Sequence, residues 1–469
     1  MTDSAGSVLV RFAPMIYGPT VLFGIGEGAI IPLIPVVADR LGADLALSGL
    51  IASALVIGQL CGNLPAGWLV SRTSERITMA IAGTVALLGA IALAFAPNLI
   101  VLTASVFVIG LCAAAFGLAR HAFMTTKAPL GFRARALSLL GGSYRLGMFV
   151  GPFIAAFLLS LFGSESSAAW CFAVCLIACV LLVLLGPDPE KAVEASEASA
   201  ASAELTREQL IQIVESSDTG RPVTGSIRLP QGATSGERSA PGRRKRRADR
   251  PAKDERPVKG GPDQAHEGIF RTMVRFRAVL ARLGLAAASL SAVRSARQVA
   301  LPLWGLSIGI EAHTISLVVG VAGAIDFALF YASGQVMDRF GRLWAVLPAM
   351  LLIGSGFLLL AFTHDLGDAA MWYAMLSAVI GVGNGLSSGI LMTLGADVAP
   401  QHHPAPFLSS WRTLNDAGGA LAPVIFSGLA AATTIGVATG AMGVIALVGA
   451  LGFWRWVPRF VHRPGRTVS

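Results

Sequence analysis

The stretch Gly334-Gln335-Val336-Met337-Asp338-Arg339-Phe340-Gly341-Arg342 separates two long apolar runs. A related stretch, Gly67-Trp68-Leu69-Val70-Ser71-Arg72, ends another apolar run 267 residues earlier. A second pair lies at a similar offset, because GMFVGP at 147–152 matches GGALAP at 418–423. These matches predict an internal repeat, with two halves of the chain in the same orientation.

The composition restricts the chain to a membrane protein. Of its 469 residues, 54% are hydrophobic and only 13% are charged, whereas soluble domains carry about 25% charged residues. A membrane-spanning helix needs about 20 apolar residues. Such runs occur at 13–37, 46–70, 77–96, 99–123, 136–161, 167–186, 283–308, 313–337, 343–362, 370–395, 405–431 and 435–456. The predicted fold is an all-α polytopic membrane protein, with twelve transmembrane helices in two six-helix parallel repeats.

The loops differ in charge between the two sides of the predicted membrane. The six loops on one side contain Arg40 as their single basic residue, whereas the other side carries many arginines. The positive-inside rule therefore predicts that both termini are cytoplasmic. The Ala-, Gly- and Arg-rich composition suggests a bacterial protein, and hence a bacterial inner membrane. We predict a first half at 1–186, a largely disordered cytoplasmic linker at 187–268, an interfacial amphipathic helix at 269–282 and a second half at 283–469.

The repeated motifs resemble those of the major facilitator superfamily. The resemblance implies a gating role for one set of loop residues and a site near the midplane between the halves. Gly147-x-x-x-Gly151-Pro152 resembles the helix-packing motif of the superfamily's drug/proton antiporters, although Ala155-Ala156 replaces the usual glycine pair. The first-half loop also departs from the pattern, with Ser71 in place of aspartate. The gating residues are Gly67, Arg72, Gly334, Asp338, Arg339, Gly341 and Arg342.

Six charged side chains lie deep within the predicted spans, where each costs at least ~2.5–3.5 kcal/mol by insertion scales. None falls on the third, sixth, ninth or twelfth span, which the resemblance identifies as peripheral helices. The six therefore form a candidate charge network for proton coupling. They are Glu27, Arg145, Arg294, Arg297, Asp326 and Asp416.

The helix order that the resemblance implies suggests specific pairs. Glu27 with Arg294 and Arg145 with Asp326 are candidate bridges between the halves that form in one state and open in another. Within the second half, Asp416 is a candidate partner of Arg294 or Arg297. One interpretation is that these pairs are permanent and only hold the bundle together. The other is that one acid titrates, with Glu27 the first choice because many antiporters of the family carry an acid in the first helix.

Uncharged polar residues on the same helices are candidates to line a substrate cavity, although each can equally be an interhelical hydrogen-bonding or packing residue. They are Gln59, Asn63, Asn384, Asn415 and Trp411. Arg120 lies close to the predicted cytoplasmic end of the fourth span. We interpret it as a side chain that reaches out to the headgroups.

The sequence contains no Gly-x-x-x-x-Gly-Lys-Ser/Thr loop, so ATP-driven transport by this chain is not expected. We predict a secondary transporter, not an enzyme, that exports a small organic molecule by proton antiport. Two alternatives stay open: proton-coupled uptake of an anionic solute bound by Arg145, Arg294 and Arg297, and a non-transporting membrane sensor. The predicted partners are the lipid bilayer, a small-molecule substrate and protons. We expect a monomer without cofactor, metal or nucleic acid.

Overall fold

The computed structural model describes residues 13–127, 130–186, 274–400 and 404–461. The predicted linker at 187–268 and the first part of the interfacial helix, 269–273, lie outside the described residues. The described part of this predicted helix is mostly helical. It contains a short helix (Arg277–Val279) and a π-helical turn (Leu280–Gly284), which lead into the second half.

Twelve long helices form the described membrane domain, six from each half. The first half contains α1 (Ala13–Ile30), α2 (Leu45–Arg72), α3 (Glu75–Ala94), α4 (Leu99–Lys127), α5 (Leu130–Phe162) and α6 (Ser166–Leu185). The second half contains α7 (Leu285–Ser307), α8 (Ala312–Phe340), α9 (Arg342–Leu360), α10 (Ala369–Leu386), α11 (Pro404–Ala432) and α12 (Ile435–Phe460).

Eleven helical segments of the described chain are long and apolar enough to cross a membrane. Helix α11 is not among them, although its 29 residues exceed the length that a span needs. Arg412, Asn415 and Asp416 reduce its apolar character. The predicted all-α, two-half architecture is confirmed, and α11, which carries these polar residues, contacts the opposite half.

Two helices predicted to be continuous are interrupted. Helix α1 passes through a 3-10 turn (Ile31–Leu33) before it resumes as Ile34–Arg40, because Pro32 and Pro35 cannot donate backbone hydrogen bonds. Helix α10 ends at Leu386 and resumes as Ile390–Val398. Gly389 joins the two parts with a φ of 76°, a conformation that favours glycine.

The packing within the first half is repeated in the second. Helix α1 packs against α5 and α6, α2 against α4, and α3 against α4 and α6. The same five contacts recur when each helix number is raised by six. The sequence repeat therefore corresponds to a repeated helix arrangement.

Helices α2 and α5 of the first half pack against α11 and α8 of the second. The Ser53 and Ser427 hydroxyl oxygens lie 3.4 Å apart, and the rings of Phe149 and Phe327 stack with centroids 5.2 Å apart. These contacts lie near the midplane and towards the predicted outer end. At the predicted inner end, the Asp338 side chain is 83% exposed.

The exporter-like glycines bring α1 and α5 into backbone contact. A Cβ atom on Gly147 would lie 2.5 Å from the carbonyl oxygen of Val21, and one on Gly151 would overlap the backbone of Ile25. Gly24 and Gly28 on α1 meet the α5 backbone in the same way. The two helices thus share a glycine seam, formed by Gly24, Gly28, Gly147 and Gly151.

Substitution of Gly151 by alanine should destabilise the protein by about 1–3 kcal/mol, because the backbone of α1 must move away from the added methyl group. The apparent Tm of the detergent-purified protein measures the effect. Gly428→Ala is the matched control, since Gly428 is also helical and no heavy atom lies within 4 Å of its Cβ position. Equal Tm values for the two variants would contradict the tight seam.

Candidate functional site

Two adjoining chambers lie between the halves. The first, which we call the Glu27 chamber, has a volume of about 350 Å³, and the second, the Arg294 chamber, about 440 Å³. The two chambers have several lining residues in common, so they are neighbouring parts of one cavity. The shared residues are Val56, Gln59, Tyr144, Ser291 and Ser295.

Glu27 is held by two neutral side chains of its own half. Its Oε1 atom accepts a hydrogen bond of 3.0 Å from Gln59 Nε2, and its Oε2 atom accepts one of 2.7 Å from the Tyr144 hydroxyl. The residue is only 1% exposed. The candidate bridge of Glu27 with Arg294 is absent from this conformation, in which α2 and α5 supply the partners of Glu27 instead of α7.

Arg120 also belongs to the Glu27 chamber and does not reach out to the headgroups, so that interpretation is wrong. It is only 8% exposed, and its guanidinium lies over the rings of Phe116 and Tyr144, at 5.0 and 5.6 Å from their centroids. Within the described chain, its Nε and Nη1 atoms have no hydrogen-bond partner. Arg120 and Glu27 line the same chamber. Helix α4 continues to Lys127, so Arg120 lies about two turns inside the helix end.

Asp326 is the centre of the Arg294 chamber. Its Oδ1 atom accepts a 2.8 Å bond from Arg145 Nη1, and its Oδ2 atom accepts a 2.7 Å bond from Asn384 Nδ2. Arg297 Nη2 lies further away, 3.8 Å from Oδ2. The predicted pairing of Arg145 with Asp326 is present, and it joins α5 to α8 across the two halves.

The pairing predicted for Asp416 is wrong. Asp416 contacts Arg412, four residues earlier on the same helix, with 3.6 Å between its Oδ2 atom and the Arg412 Nε atom. Its side chain is 42% exposed and lines the Glu27 chamber, away from the arginines of α7. Arg294 instead directs Nη1 to the Ser387 carbonyl oxygen at 3.4 Å.

Three of the five candidate cavity residues line a chamber. Gln59 lines both, Asn63 lines the Glu27 chamber, and Asn384 lines the Arg294 chamber while bound to Asp326. The other two, Asn415 and Trp411, line neither chamber. Trp411 is buried and donates from Nε1 to the Leu391 carbonyl oxygen at 2.9 Å, so it holds α11 against the second part of α10.

The gating residues of the second half tie α8 and α9 to the end of α10. Arg342 Nε lies 2.8 Å from Asp397 Oδ2, and Arg342 Nη1 lies 3.4 Å from Asp338 Oδ1. Gly341 has a φ of 95°, which only glycine adopts readily. Asp397 was not expected from the sequence.

The remaining gating residues make fewer contacts in this conformation. The guanidiniums of Arg72 and Arg339 stack on the neighbouring rings of Trp68 and Phe340. No heavy atom lies within 4 Å of the Cβ position of Gly334, and Gly67 has one at 4.0 Å.

The two six-helix repeats, with a charged cavity between them, define a multi-pass membrane transporter. The sequence model described as the Major Facilitator Superfamily matches residues 20–423, and again residues 283–467. The chain belongs to the Major Facilitator Superfamily, and like other members it is a transporter and not an enzyme.

Known proteins resemble the chain at low identity. A region of 183 residues is 24% identical to the galactose-proton symporter of Escherichia coli (strain K12), and it spans 39% of this chain and 38% of that protein. A POT family transporter in complex with 5-aminolevulinic acid superposes with a TM-score of 0.68 at 11% identity, over 96% of this chain and 97% of that one. The xylose transporter XylE from E. coli, in a partially occluded inward open conformation, superposes with a TM-score of 0.60 at 13% identity. The match covers 95% of this chain and 99% of that one.

Removal of either partner of the Arg145–Asp326 pair should destabilise the protein by about 1–3 kcal/mol. This is less than the ~3–5 kcal/mol of a fully buried pair, because both side chains border a cavity. We expect the double variant Arg145→Gln/Asp326→Asn to lose less stability than the two single variants together. Apparent Tm values of the four proteins, with the exposed Asp368→Asn as control, measure this coupling. Additive losses would show that the pair contributes no coupling.

Proposed function

We propose that this protein is a proton-coupled secondary transporter of a small organic molecule, in which Glu27 carries the proton. The observation that supports this proposal is the placement of Glu27. It is a buried carboxyl that lines a cavity between the halves, with Gln59, Tyr144 and Arg120 around it.

This environment suits a carboxyl that must exist in both protonation states. When Glu27 is ionised, the donors on Gln59 and Tyr144 satisfy both oxygens and Arg120 supplies a nearby positive charge. When Glu27 is protonated, the Tyr144 hydroxyl can also act as an acceptor. Arg120 then loses the attraction of its neighbour, so protonation changes the electrostatics of the whole chamber.

Alternating access would require the contacts between the halves to separate at the predicted outer end. These contacts include the Arg145–Asp326 pair, the stacked Phe149 and Phe327 rings, and the packing of α7 against α2 and the 3-10 turn after α1. A proton that crosses 100 mV provides about 2.3 kcal/mol, which is comparable to the net contribution of one hydrogen bond to a charged group.

For the direction of transport, we infer export by antiport as the first candidate. Its support is the glycine seam, because the seam residues Gly147 and Gly151, together with the adjacent Pro152, resemble the exporter motif. Uptake by symport is the second candidate, and the similarity to a galactose-proton symporter favours it. We also propose cytoplasmic termini on the basis of the loop charges. The family suggests a monomer, and the Ala-, Gly- and Arg-rich composition suggests a bacterial inner membrane.

Replacement of Glu27 by glutamine should abolish proton-coupled transport, because the amide cannot release a proton. Untargeted mass spectrometry of expressing cells and their medium, with and without a protonophore, measures the effect for a substrate of any identity. Glu311→Gln is the matched control, since Glu311 is an exposed acid at the start of α8. All variants are compared at equal amounts in the membrane.

A compound that the parent and the control enrich in the medium, in a protonophore-sensitive way, would support export. Enrichment inside the cells would support uptake. If Glu27→Gln enriched the same compound as well as the parent does, Glu27 would not be the proton site.

A further inference from the structure

We propose that the Arg294 chamber binds an anionic group of the substrate, with carboxylate or phosphate oxygens, through Arg294 and Arg297. The proposal rests on the proposed transport function, and it names the chemical class of the molecule that is carried. It is supported by the charge balance, the unused donors and the shape of the chamber.

The charges that line this chamber do not balance. Arg145, Arg294 and Arg297 contribute three positive charges, and Asp326 is the one carboxylate among the described lining residues. The net charge of +2 faces a cavity within the membrane domain, where an uncompensated charge is costly. An anion in the cavity would compensate this charge, whereas a neutral solute would leave it and a cation would add to it.

The donors of Arg294 and Arg297 are largely unused. Asp326 already accepts its short bonds from Arg145 and Asn384, so Arg297 remains 3.8 Å away. The Nε atom of Arg297 is buried and has no acceptor in the described chain. Arg294 has a long contact of 3.4 Å with the Ser387 carbonyl oxygen. Each guanidinium carries five N–H donors, so both retain capacity for a ligand.

The arrangement of the two arginines suits anionic oxygens. They lie three residues apart on one face of α7, and Ser291, Ser295 and Gln298 of the same helix also line the chamber. Planar guanidinium groups bind carboxylate and phosphate through paired hydrogen bonds. Helix α7 therefore presents a polar wall with two charged donors.

The other walls of the chamber are mainly apolar. They include Met148 and Phe149 of α5 and Val319 of α8. The volume of about 440 Å³ limits the ligand to a small molecule. The chamber thus fits an organic anion with a compact apolar part.

The Glu27 chamber does not share this charge imbalance. Its acids Glu27 and Asp416 are matched by Arg120 and Arg412. The proposed proton site and the proposed anion site are therefore separate, and Gln59 and Tyr144 border both.

Isothermal titration calorimetry of the purified full-length protein tests the proposal with four probes of similar size: benzoate, phenyl phosphate, benzamide and benzylamine. We expect the better of the two anions to bind at least tenfold more tightly than the amide and the amine. The comparison of benzoate with phenyl phosphate shows whether carboxylate or phosphate oxygens are preferred. Equal binding of all four probes, or no binding of either anion, would overturn the proposal.

Variants then locate the bound anion. Arg294→Gln and Arg297→Gln should each weaken anion binding at least tenfold, while Arg294→Lys, which keeps the charge, should weaken it less. Arg40→Gln is the control, because Arg40 is an exposed arginine outside both chambers. If both glutamine variants remain folded by size-exclusion chromatography and bind the anion as the parent does, the assignment to α7 is wrong.

A further variant separates this proposal from the proposed function. Glu27→Gln should bind the anion normally but fail in proton-coupled transport. Normal anion binding together with normal transport in this variant would leave the anion site in place and reject Glu27 as the proton carrier. Loss of anion binding in Glu27→Gln would contradict the separation of the two sites.

Discussion

The constraint on which this structure depends is the cost of placing charge inside a membrane. Asp326 meets that cost with three partners, since Arg145 comes from the other half, Asn384 from α10, and Arg297 approaches from α7. The carboxylate therefore connects the two halves and also organises the second half around it. Because each partner comes from a different helix, the position of one carboxyl group depends on four helices at once.

The repeat gives the two halves the same helix packing but different chemistry. Glu27 and Arg294 occupy equivalent positions with opposite charge, and so do Arg145 and Asp416. In the structure, neither Glu27 nor Asp416 contacts an arginine of the opposite half, because neutral donors hold Glu27 and Arg412 contacts Asp416. Glu27, with its neutral hydrogen-bond partners, lines one chamber, and Arg294 and Arg297 line the other, so a proton and a substrate can occupy different places. This division of roles is the basis of both proposals.

The fold could be predicted from the sequence because long apolar runs and repeated loop motifs are strong local signals. The site was predicted only in part, because side-chain direction depends on helix phase and length. Tyr144 and Arg145 are adjacent, yet successive residues of a helix point about 100° apart. Tyr144 therefore contacts Glu27 in its own half, whereas Arg145 crosses to Asp326. Arg120 was misplaced for a related reason, since α4 extends four residues beyond the predicted boundary at 123.

The glycine seam has a consequence for how the protein tolerates mutation. Glu27 lies between Gly24 and Gly28 on α1, and Tyr144 lies one turn before Gly147 on α5. The distance between the Glu27 carboxyl and the Tyr144 hydroxyl is thus set by direct contact between the two helix backbones. Side-chain packing between the helices cannot adjust it, because the four glycines have no side chains. A side chain at any of these four positions would push the two helix backbones apart. A substitution that separates the two backbones would therefore shift the acid relative to the phenol as well as destabilise the fold.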